Sequence, residues 1–548
     1  MVERMVKRLI VRRNRYFDSV FLMQVAHQLA GQPGIHDAFA VMGTDANRKV
    51  LAELGYGAGT LAAELAAAAP NDLVFAIEGE EAAVQAAASD PDRWLSRGPK
   101  DGAAAGSAGE REPRSLEESL ALRPDASVAV ISVPGQYAAR EARAAIAHGL
   151  NIFLFSSNVP VEDELALKRQ AREKGLIVMG PDCGTAYIGG AGIGFANAVR
   201  RGPIGIVGST GTGMQEFASL VHQAGSGISN GIGTGSRDLT DAIGGISTMT
   251  AIDALERDPG TRVVALLSKP SGAETSERLV RRLASLGKPA VVCVLGARGA
   301  AARAPEALLP GLGGSAPGGR VRYAATIDEA VIAALEAVGV QPPMSLREDS
   351  ASVRKVAAAE AARMNPSQRF VRGVFAGGTF CYQSQAILGE AGLRLYSNSP
   401  LPGMQELDDP RVSREHCMVD MGAEVFVEGR PHPMIDATLR RERVAGEGRD
   451  PAVALLLLDF ILGAISSRNP VGDLLDAIRD AKSGALTRGG HLCVVASICG
   501  TGDDAQDLAV QTRMLHDAGV LVFPSNAQAA RFTREVALLI GGGKDKGQ

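Results

Sequence analysis

The sequence predicts an α/β protein built on parallel β-sheets, and three observations support that prediction. Short runs of valine, isoleucine and leucine recur along the chain, as at residues 128–133, 204–207 and 453–458. Helical stretches rich in alanine separate these runs, and continuous apolar strands alternating with helices are typical of parallel sheets covered on both faces. Aromatic residues make up only 4% of the chain, and small residues in their place let helices pack close to a sheet.

The length of 548 residues is too great for a single hydrophobic core and predicts about three domains. Residues 96–115 are rich in glycine, alanine and charge without apolar periodicity, which predicts a mobile insertion. Residues 341–365 begin beside two prolines and end at Asn365-Pro366, which predicts a linker. The predicted domains are therefore 1–200, 201–340 and 366–548, the last two being versions of one flavodoxin-like fold.

Composition excludes several classes of protein. With 46% hydrophobic and 22% charged residues and a net charge of −4, the chain gives no electrostatic case for nucleic acid or a membrane surface. The basic start is followed by no apolar signal region, and the most apolar run, 453–465, is interrupted by Asp459 and Gly463. We therefore expect a cytoplasmic protein. Six cysteines without CxxC spacing are expected to be reduced, and no metal site is visible.

A glycine-rich loop follows the strand at 204–207 and precedes a helical stretch. Glycines at such a turn let the backbone approach an anion, and the helix dipole adds about half a positive charge. The loop predicts a phosphate or carboxylate site; the alternative is a tight turn in which glycine serves packing alone. It is not a Walker loop, because no Lys-Ser/Thr follows the glycine. Its candidate ligands, preceded by Gly208, are Ser209, Thr210, Gly211, Thr212 and Gly213.

Similar loops recur after other predicted strands, and together they predict an anion site built from several loops. One of them supplies further candidate ligands for phosphate or substrate, namely Gly377, Gly378 and Thr379. Another consists of Gly180, Pro181, Asp182 and Cys183. The thiols of Cys183, Cys381 and Cys499 lie in such loops, but no clear base accompanies them, so we do not expect nucleophilic cysteines.

The segment 429–436 combines three candidate catalytic residues, Arg430, His432 and Asp436, with prolines on both sides of the histidine. Arginine suits bidentate binding of a carboxylate, and histidine exchanges a proton near neutral pH. A rigid loop with a structural histidine is the alternative.

Longer strings in the same regions resemble a known family. Residues 126–185, with AAIAHGLNIFLFSSNVPVEDE and GPDCG, resemble the CoA-binding domain of the succinyl-CoA synthetase α subunit. GIVGSTGTGMQE resembles that subunit's segment whose helix faces the phosphohistidine, and residues 366–548 resemble the carboxy-terminal domain of the β subunit. With RYFDSV, LKRQAREKGLIVMGPDCGT and GRPHPMIDATLR, the chain as a whole resembles the FdrA family.

This resemblance implies a Rossmann-like CoA-binding-type domain at 1–200, followed by α-type and β-type flavodoxin-like domains that face each other. It also implies CoA near Gly180 to Cys183, although the first strand runs into Arg12 and Arg13 and not into a glycine-rich phosphate turn. No histidine lies between His222 and His416, so the synthetase phosphohistidine is missing. The ATP-grasp domain is missing as well.

The FdrA resemblance implies a subunit of oxamate carbamoyltransferase in anaerobic allantoin breakdown, where oxalurate and phosphate give oxamate and carbamoyl phosphate. Phosphate is then a substrate, no cofactor is certain, and two companion subunits act with the chain, which we expect to form a homo-oligomer. In that reaction Arg430 would hold the oxalurate carboxylate, His432 would protonate the leaving nitrogen and Asp436 would orient His432. The alternatives are an acyl-CoA synthetase-like or CoA-binding protein and a non-catalytic scaffold subunit.

Overall fold

A computed structural model of the chain describes residues 5–17, 19–95, 113, 115–269, 271–296, 320–347, 350–428 and 430–541. Apart from Pro113 and Ser115, the predicted insertion at 96–115 lies outside these residues, as does Gly429.

Strands and helices alternate along most of the described chain. The strands are β1 (Met5–Arg12), β2 (Ile35–Met42), β3 (Leu73–Glu80), β4 (Val128–Ile131), β5 (Asn151–Leu154), β6 (Val178–Met179), β7 (Thr185–Ile188), β8 (Ala191–Gly194), β9 (Arg201–Gly208), β10 (Ile228–Gly233), β11 (Val263–Ser268), β12 (Ala290–Val294), β13 (Val321–Ala324), β14 (Phe370–Phe375), β15 (Leu395–Ser397), β16 (Gln405–Glu406), β17 (His416–Asp420), β18 (Val453–Ile461), β19 (Cys493–Cys499) and β20 (Leu521–Phe523). The helices are α1 (Ser19–Ala30), α2 (Asp45–Leu51), α3 (Gly59–Ala66), α4 (Glu81–Ser89), α5 (Asp92–Leu95), α6 (Leu116–Leu122), α7 (Gly135–Ala147), α8 (Val161–Glu173), α9 (Gly211–Gln223), α10 (Ile246–Arg257), α11 (Ala273–Ala284), α12 (Ile327–Val338), α13 (Ser350–Ala361), α14 (Gly378–Gly389), α15 (Glu424–Val427), α16 (Thr438–Arg449), α17 (Gly472–Thr487), α18 (Leu508–Asp517) and α19 (Asn526–Gly541).

The chain divides into two compact units. The first joins Met1–Ala126 to Glu424–Asp436, and the second joins Ser127–Ala423 to Ala437–Gln548.

In the first unit three antiparallel strands form one sheet in the order β1-β3-β2. The central strand β3 is apolar from residue 73 to 77 because both of its faces are covered. Leu22 and Leu29 of α1 pack in the core on one face, while Tyr56 and Leu65 pack in the core on the other.

The structure differs here from the predicted Rossmann-like domain at 1–200. In the described part of residues 1–126 the sheet is antiparallel, and the first parallel pairing of described strands joins β4 to β5. The resemblance that implied this domain rests on strings that begin at residue 126, and it was extended to residue 1. The apolar pattern of the first strands could not correct it, because a central antiparallel strand covered on both faces has the same continuous apolar run as a parallel strand.

The second unit contains three sheets, and their strand pairing is mostly parallel. The strands β4-β5-β6 form a small sheet, and two seven-stranded sheets have the orders β13-β12-β11-β9-β10-β7-β8 and β16-β15-β17-β14-β18-β19-β20. The first large sheet starts before the predicted boundary at 201, because the β7–β8 hairpin pairs with β10. The predicted linker at 341–365 contains α13, whose Glu360 carboxylate lies 2.6 Å from the His491 imidazole.

The regions 201–340 and 366–548 face each other within this unit, as the resemblance implied. The backbone N–H of Ile327 donates to the Gln383 side chain over 2.9 Å, and that of Asn526 donates to Glu216 over 2.8 Å. In the described residues there is no helix whose length and apolar character would suit a membrane span.

Candidate functional site

Two strand-to-helix turns of the second unit contact each other at the N-termini of their helices. β9 leads into α9 and β14 leads into α14, each through a two-residue turn. The Thr212 hydroxyl donates to the Thr379 hydroxyl over 2.8 Å, and the Thr210 hydroxyl is also hydrogen-bonded to Thr379. The structure therefore brings together the two glycine loops that the sequence singled out, 208–213 and 377–379.

Glycine lets these turns approach each other closely. A Cβ added to Gly213 would lie 3.1 Å from the Thr379 methyl group, and one added to Gly377 would lie 3.1 Å from the Thr212 side chain. Both distances are tighter than ordinary van der Waals contact, so a larger residue at either position would need its threonine neighbour to move by a few tenths of an ångström.

The N-termini of α9 and α14 are not capped by side chains. The first amides of a helix have no acceptor within it, and threonine is a good capping residue. Yet the hydroxyl of Thr210, the N-cap of α9, makes no capping bond, and Gly377, the N-cap of α14, has no side chain to offer. Two helix ends, each with about half a positive charge, thus converge where an anion such as phosphate or carboxylate would satisfy their amides.

Lys269 adds a cation at this edge of the sheet. It follows β11, its backbone N–H donates to the Ser209 hydroxyl over 3.2 Å, and its ammonium lies 5.0 Å from the centroid of the Tyr382 ring. Sequence reasoning missed Lys269 because no motif surrounds it. The available signal was its place directly after a buried strand.

Asp420, the last residue of β17, places a carboxylate beside the start of α14. A Cβ on Gly378 would lie only 2.6 Å from Asp420 Oδ2. Asp420 Oδ1 accepts a hydrogen bond from the Gly422 N–H over 2.9 Å. Burial raises the pKa of Asp420 to about 6, against the opposing effect of Lys269. The sequence analysis missed this residue too.

Asp459 fixes the turn that precedes α14. Its two carboxylate oxygens accept the backbone N–H groups of Ala376 and Gly377, each over 2.8 Å. Arg440 pairs with this buried carboxylate and also donates to the Val374 carbonyl over 2.9 Å. Asp459 and Arg440 therefore hold in place the turn that leads into α14.

The predicted cofactor loop, Gly180 to Cys183, has part of its backbone already occupied. The N–H of Asp182 donates to the Ser156 carbonyl over 3.0 Å and that of Cys183 to the Leu154 carbonyl over 3.2 Å. Burial raises the pKa of the Cys183 thiol to about 12, so the thiol is neutral at physiological pH. The expectation that Cys183 is not a nucleophile stays a prediction.

Arg430, His432 and Asp436 belong to the first unit, whereas the two glycine loops belong to the second. The Arg430 guanidinium lies 5.9 Å from the centroid of the Phe39 ring. Burial raises the pKa of Asp37, and the charges of Arg430 and Asp436 modify that pKa in opposite directions.

His432 is neutral at physiological pH. Burial lowers its pKa to about 4, and its Nδ1 accepts a hydrogen bond from the Met434 N–H over 3.2 Å. Its backbone carbonyl accepts the Ile435 N–H over 2.8 Å. These contacts favour a structural role for His432, the alternative that the sequence left open, and its catalytic role stays a prediction.

Two family models match this chain, one near each end. Residues 5–113 match a family model described as AllF, heavy metal-associated domain, and residues 374–536 match one described as CoA-ligase. The chain is 39% identical over 531 residues to the uncharacterized protein YahF of Escherichia coli (strain K12), with 96% of this chain and 98% of that protein covered. The chain belongs to the YahF family. The CoA-ligase match, together with the parallel sheets, confirms the predicted α/β class.

This YahF-family chain is also similar to subunits of succinate–CoA ligase. It is 30% identical over 183 residues to the α subunit of the ADP-forming enzyme of Methanothermobacter thermautotrophicus, covering 33% of this chain and 61% of that subunit. For α subunit 1 of Archaeoglobus fulgidus the identity is 26% over 245 residues, covering 44% and 79%. The chain is thus succinyl-CoA synthetase-like.

Solved structures give weaker similarities. ATP citrate lyase from Methanothrix soehngenii in complex with citrate and coenzyme A matches at 14% identity, with 78% of this chain and 84% of that chain covered and a TM-score of 0.31. Dinucleotide-forming acetyl-coenzyme A synthetase 1 of Ca. Korarchaeum cryptofilum matches at 16% identity, covering 76% and 83%, with a TM-score of 0.28.

The residues of the first unit do not fit a heavy metal, despite the description of the family model. Soft metals are held by thiolates, and the chain has no cysteine before Cys183. In the part of the chain that the structure describes, no group of three or more His, Cys, Asp or Glu side chains could hold a metal ion. We therefore assign no metal chemistry to the first unit.

Proposed function

We propose that the chain is the FdrA-type subunit of an oxamate carbamoyltransferase, converting oxalurate and phosphate to oxamate and carbamoyl phosphate together with companion subunits. The observation that supports this proposal is the meeting of the α9 and α14 N-termini at Thr212 and Thr379, with Lys269 at the same edge. A succinyl-CoA synthetase-like chain without a histidine between His222 and His416 lacks the residue that would carry a phosphohistidine. Bound phosphate would itself be the reactant.

The reaction needs positioning and charge stabilisation. A phosphate oxygen attacks the carbamoyl carbon of oxalurate, and the bond from that carbon to the oxamate nitrogen breaks. Fixed amides and a lysine ammonium stabilise the charge that develops, and they need no reorganisation during the reaction. Because Asp459 holds the Ala376 and Gly377 amides in place, the α14 end of the site is preorganised.

An acyl-CoA synthetase-like activity is the second candidate, favoured by the CoA-ligase match over residues 374–536. It requires CoA, ATP and a phosphate acceptor other than histidine. The Gly180 to Cys183 loop would be the place for CoA, although the N–H groups of Asp182 and Cys183 already have acceptors.

The test is to purify the chain with the proteins encoded beside it and to measure carbamoyl phosphate formed from oxalurate at varied phosphate concentration. We expect Lys269→Met to raise the KM for phosphate ~10-fold or more. Lys482→Met is the matched control, because Lys482 lies on α17 and its ammonium is hydrogen-bonded to the Gly519 carbonyl. Acyl-CoA formed with ATP and CoA would favour the second candidate. A phosphate KM for carbamoyl transfer that is the same in Lys269→Met and in the unaltered chain would contradict the proposed site and favour a non-catalytic scaffold role for this chain.

A further inference from the structure

We propose that Asp420 is the proton-binding residue of the anion site, so that a phosphate-like dianion and one proton bind together. This inference rests on the proposed function for the location of the anion, and it adds a group that exchanges a proton there.

The position of Asp420 sets its carboxylate against the same helix end as the anion. Asp420 is only 8% exposed, and its Oδ2 would lie 2.6 Å from a Cβ added to Gly378. An anion bound at the N-terminus of α14 is therefore a near neighbour of this carboxylate.

The Asp420 carboxylate cannot easily turn away from a bound anion. Its Oδ1 is held by the Gly422 N–H. The backbone of Asp420 is held by Asn398, whose side chain accepts the Asp420 N–H and donates to the Asp420 carbonyl, each over 2.9 Å. Within the described part of the chain, no donor is hydrogen-bonded to Oδ2. One oxygen is thus fixed and the other is available for a proton.

The charges around Asp420 are nearly balanced when the site is empty. Burial and the carboxylate of Asp459 raise its pKa, while Lys269 and the Gly422 N–H lower it, which gives a pKa of about 6. Two further titratable side chains of α14 lie nearby. The Cys381 thiol is affected by the Asp420 charge, and burial holds its pKa well above the ordinary value. The Tyr382 ring lies against the Lys269 ammonium. At pH 7 Asp420 is therefore mostly ionised.

A dianion changes this balance. Like charges close together favour the neutral form of a carboxyl group, so binding of phosphate or sulfate shifts Asp420 towards its protonated form. By linkage, the anion must then bind more weakly as the pH rises above the pKa of the empty site, by up to ~10-fold per pH unit.

In the proposed reaction the bound proton has a use. The proton of the Asp420 carboxyl group goes to the oxamate nitrogen as its bond to the carbamoyl carbon breaks. The Asp420 carboxylate then takes the hydroxyl proton of the attacking monohydrogen phosphate, so that atoms and charge balance without another reactant. This assigns to Asp420 the role of acid that the sequence had given to His432.

The experiment is calorimetric titration of the full chain with sulfate between pH 5 and 8, in two buffers of different ionisation enthalpy. Sulfate is the probe because it stays a dianion over this range. For the unaltered chain we expect net uptake of up to one proton above pH 6 and an affinity that falls with pH. Asp420→Asn, which keeps the shape but binds no proton, should bind sulfate with an affinity independent of pH and without proton uptake.

Asp408→Asn is the control, because the Asp408 side chain is 95% exposed; it should titrate like the unaltered chain. Sulfate binding that is equally dependent on pH in Asp420→Asn and in the unaltered chain would overturn the inference and leave the anion site intact. Sulfate that does not bind the unaltered chain at any pH would overturn the anion site as well. Thermal melts of each variant show whether it is folded, and a second substitution, Asp420→Ser, should give the same loss of proton uptake if Asp420→Asn does not fold.

Discussion

Glu216 and Gln383 occupy the same position, the sixth residue, of the two helices whose N-termini meet at the candidate site. Glu216 accepts the backbone N–H of Asn526, the first residue of α19, and Gln383 accepts that of Ile327, the first residue of α12. Each helix thus caps the last helix of the opposite region. Gln383 also donates to the Asn526 side chain over 2.9 Å, so both residues meet at Asn526.

This equivalence predicts that Glu216→Gln is tolerated and becomes stabilising at alkaline pH. Burial, with the charge of Asp328, raises the pKa of Glu216 to about 8. The folded chain therefore keeps a proton that the unfolded chain loses, and the free energy of unfolding falls as the pH rises from the ordinary range of glutamate to about 8. Glutamine removes this dependence, and we expect a gain of about 1–3 kcal/mol at pH 8 and little change at pH 5.

Urea unfolding at pH 5 and pH 8 checks this prediction. Gln383→Glu is the matched variant, because it introduces a carboxyl group at the equivalent position and should lose stability between the same two pH values. A Glu216→Gln chain whose stability falls with pH as steeply as that of the unaltered chain would contradict the assigned cause.

The threonine hydroxyls give a prediction about phosphate affinity. Thr212→Val and Thr379→Val keep side-chain shape but remove the hydroxyls between the two helix ends, so each should raise the KM for phosphate about 10-fold through lost hydrogen bonding. Thr533→Val is the control, since the buried Thr533 hydroxyl donates to the Ala529 carbonyl within its own helix, α19. Equal phosphate KM values in Thr212→Val, Thr379→Val and the control would remove the hydroxyls from the site.

The sequence predicted one part of the site and missed the other for a physical reason. Residues 208–213 and 377–379 were recognisable in the sequence because glycine and threonine cluster there at the start of a helix. Lys269 directly follows a buried strand and Asp420 ends one, and no motif surrounds either residue. Only the pairing of β9 with β11 and of β14 with β17 places them beside the two glycine loops.

The segment 429–436 shows a different limit of spacing along the chain. Its prolines, arginine and histidine suggest catalysis, which stays a prediction. The spacing does not reveal that the segment belongs to the first unit, where the Arg430 guanidinium lies 5.9 Å from the centroid of the Phe39 ring. The antiparallel sheet of that unit was also missed, because the resemblance to a CoA-binding domain rests on residues 126–185 and the apolar run of β3 carries no information about strand direction.

We expect a large loss of stability when the buried ion network around Lys168 is broken. Lys168 is fully buried and donates to Glu164 over 2.8 Å, to Asp238 over 2.7 Å and to the Thr234 carbonyl over 3.0 Å. Lys168→Met leaves two buried carboxylates without this cation, and we expect it to cost about 3–5 kcal/mol in urea unfolding. Arg281→Ala breaks an exposed pair with Glu277 on α11 and should cost about 0.5 kcal/mol or less; similar losses in both variants would contradict the account.

Substitutions of His432 distinguish a structural role of this residue from a catalytic one. Because His432 is neutral at pH 7 and accepts the Met434 N–H, we expect His432→Ala to lower the melting temperature while the folded fraction keeps its turnover. His432→Gln, whose side chain offers an acceptor, should restore part of the melting temperature. A folded His432→Ala chain with turnover reduced ~100-fold would restore the histidine to catalysis.

The central claim is that phosphate binds between the N-termini of α9 and α14. The most direct measurement is a crystal structure of the chain with bound phosphate, at a concentration that saturates the sulfate or phosphate titration. We expect phosphate oxygens within hydrogen-bond distance of the first-turn amides of both helices and of the Thr212 or Thr379 hydroxyl. Phosphate bound elsewhere on the chain, with these amides in contact with water alone, would contradict it.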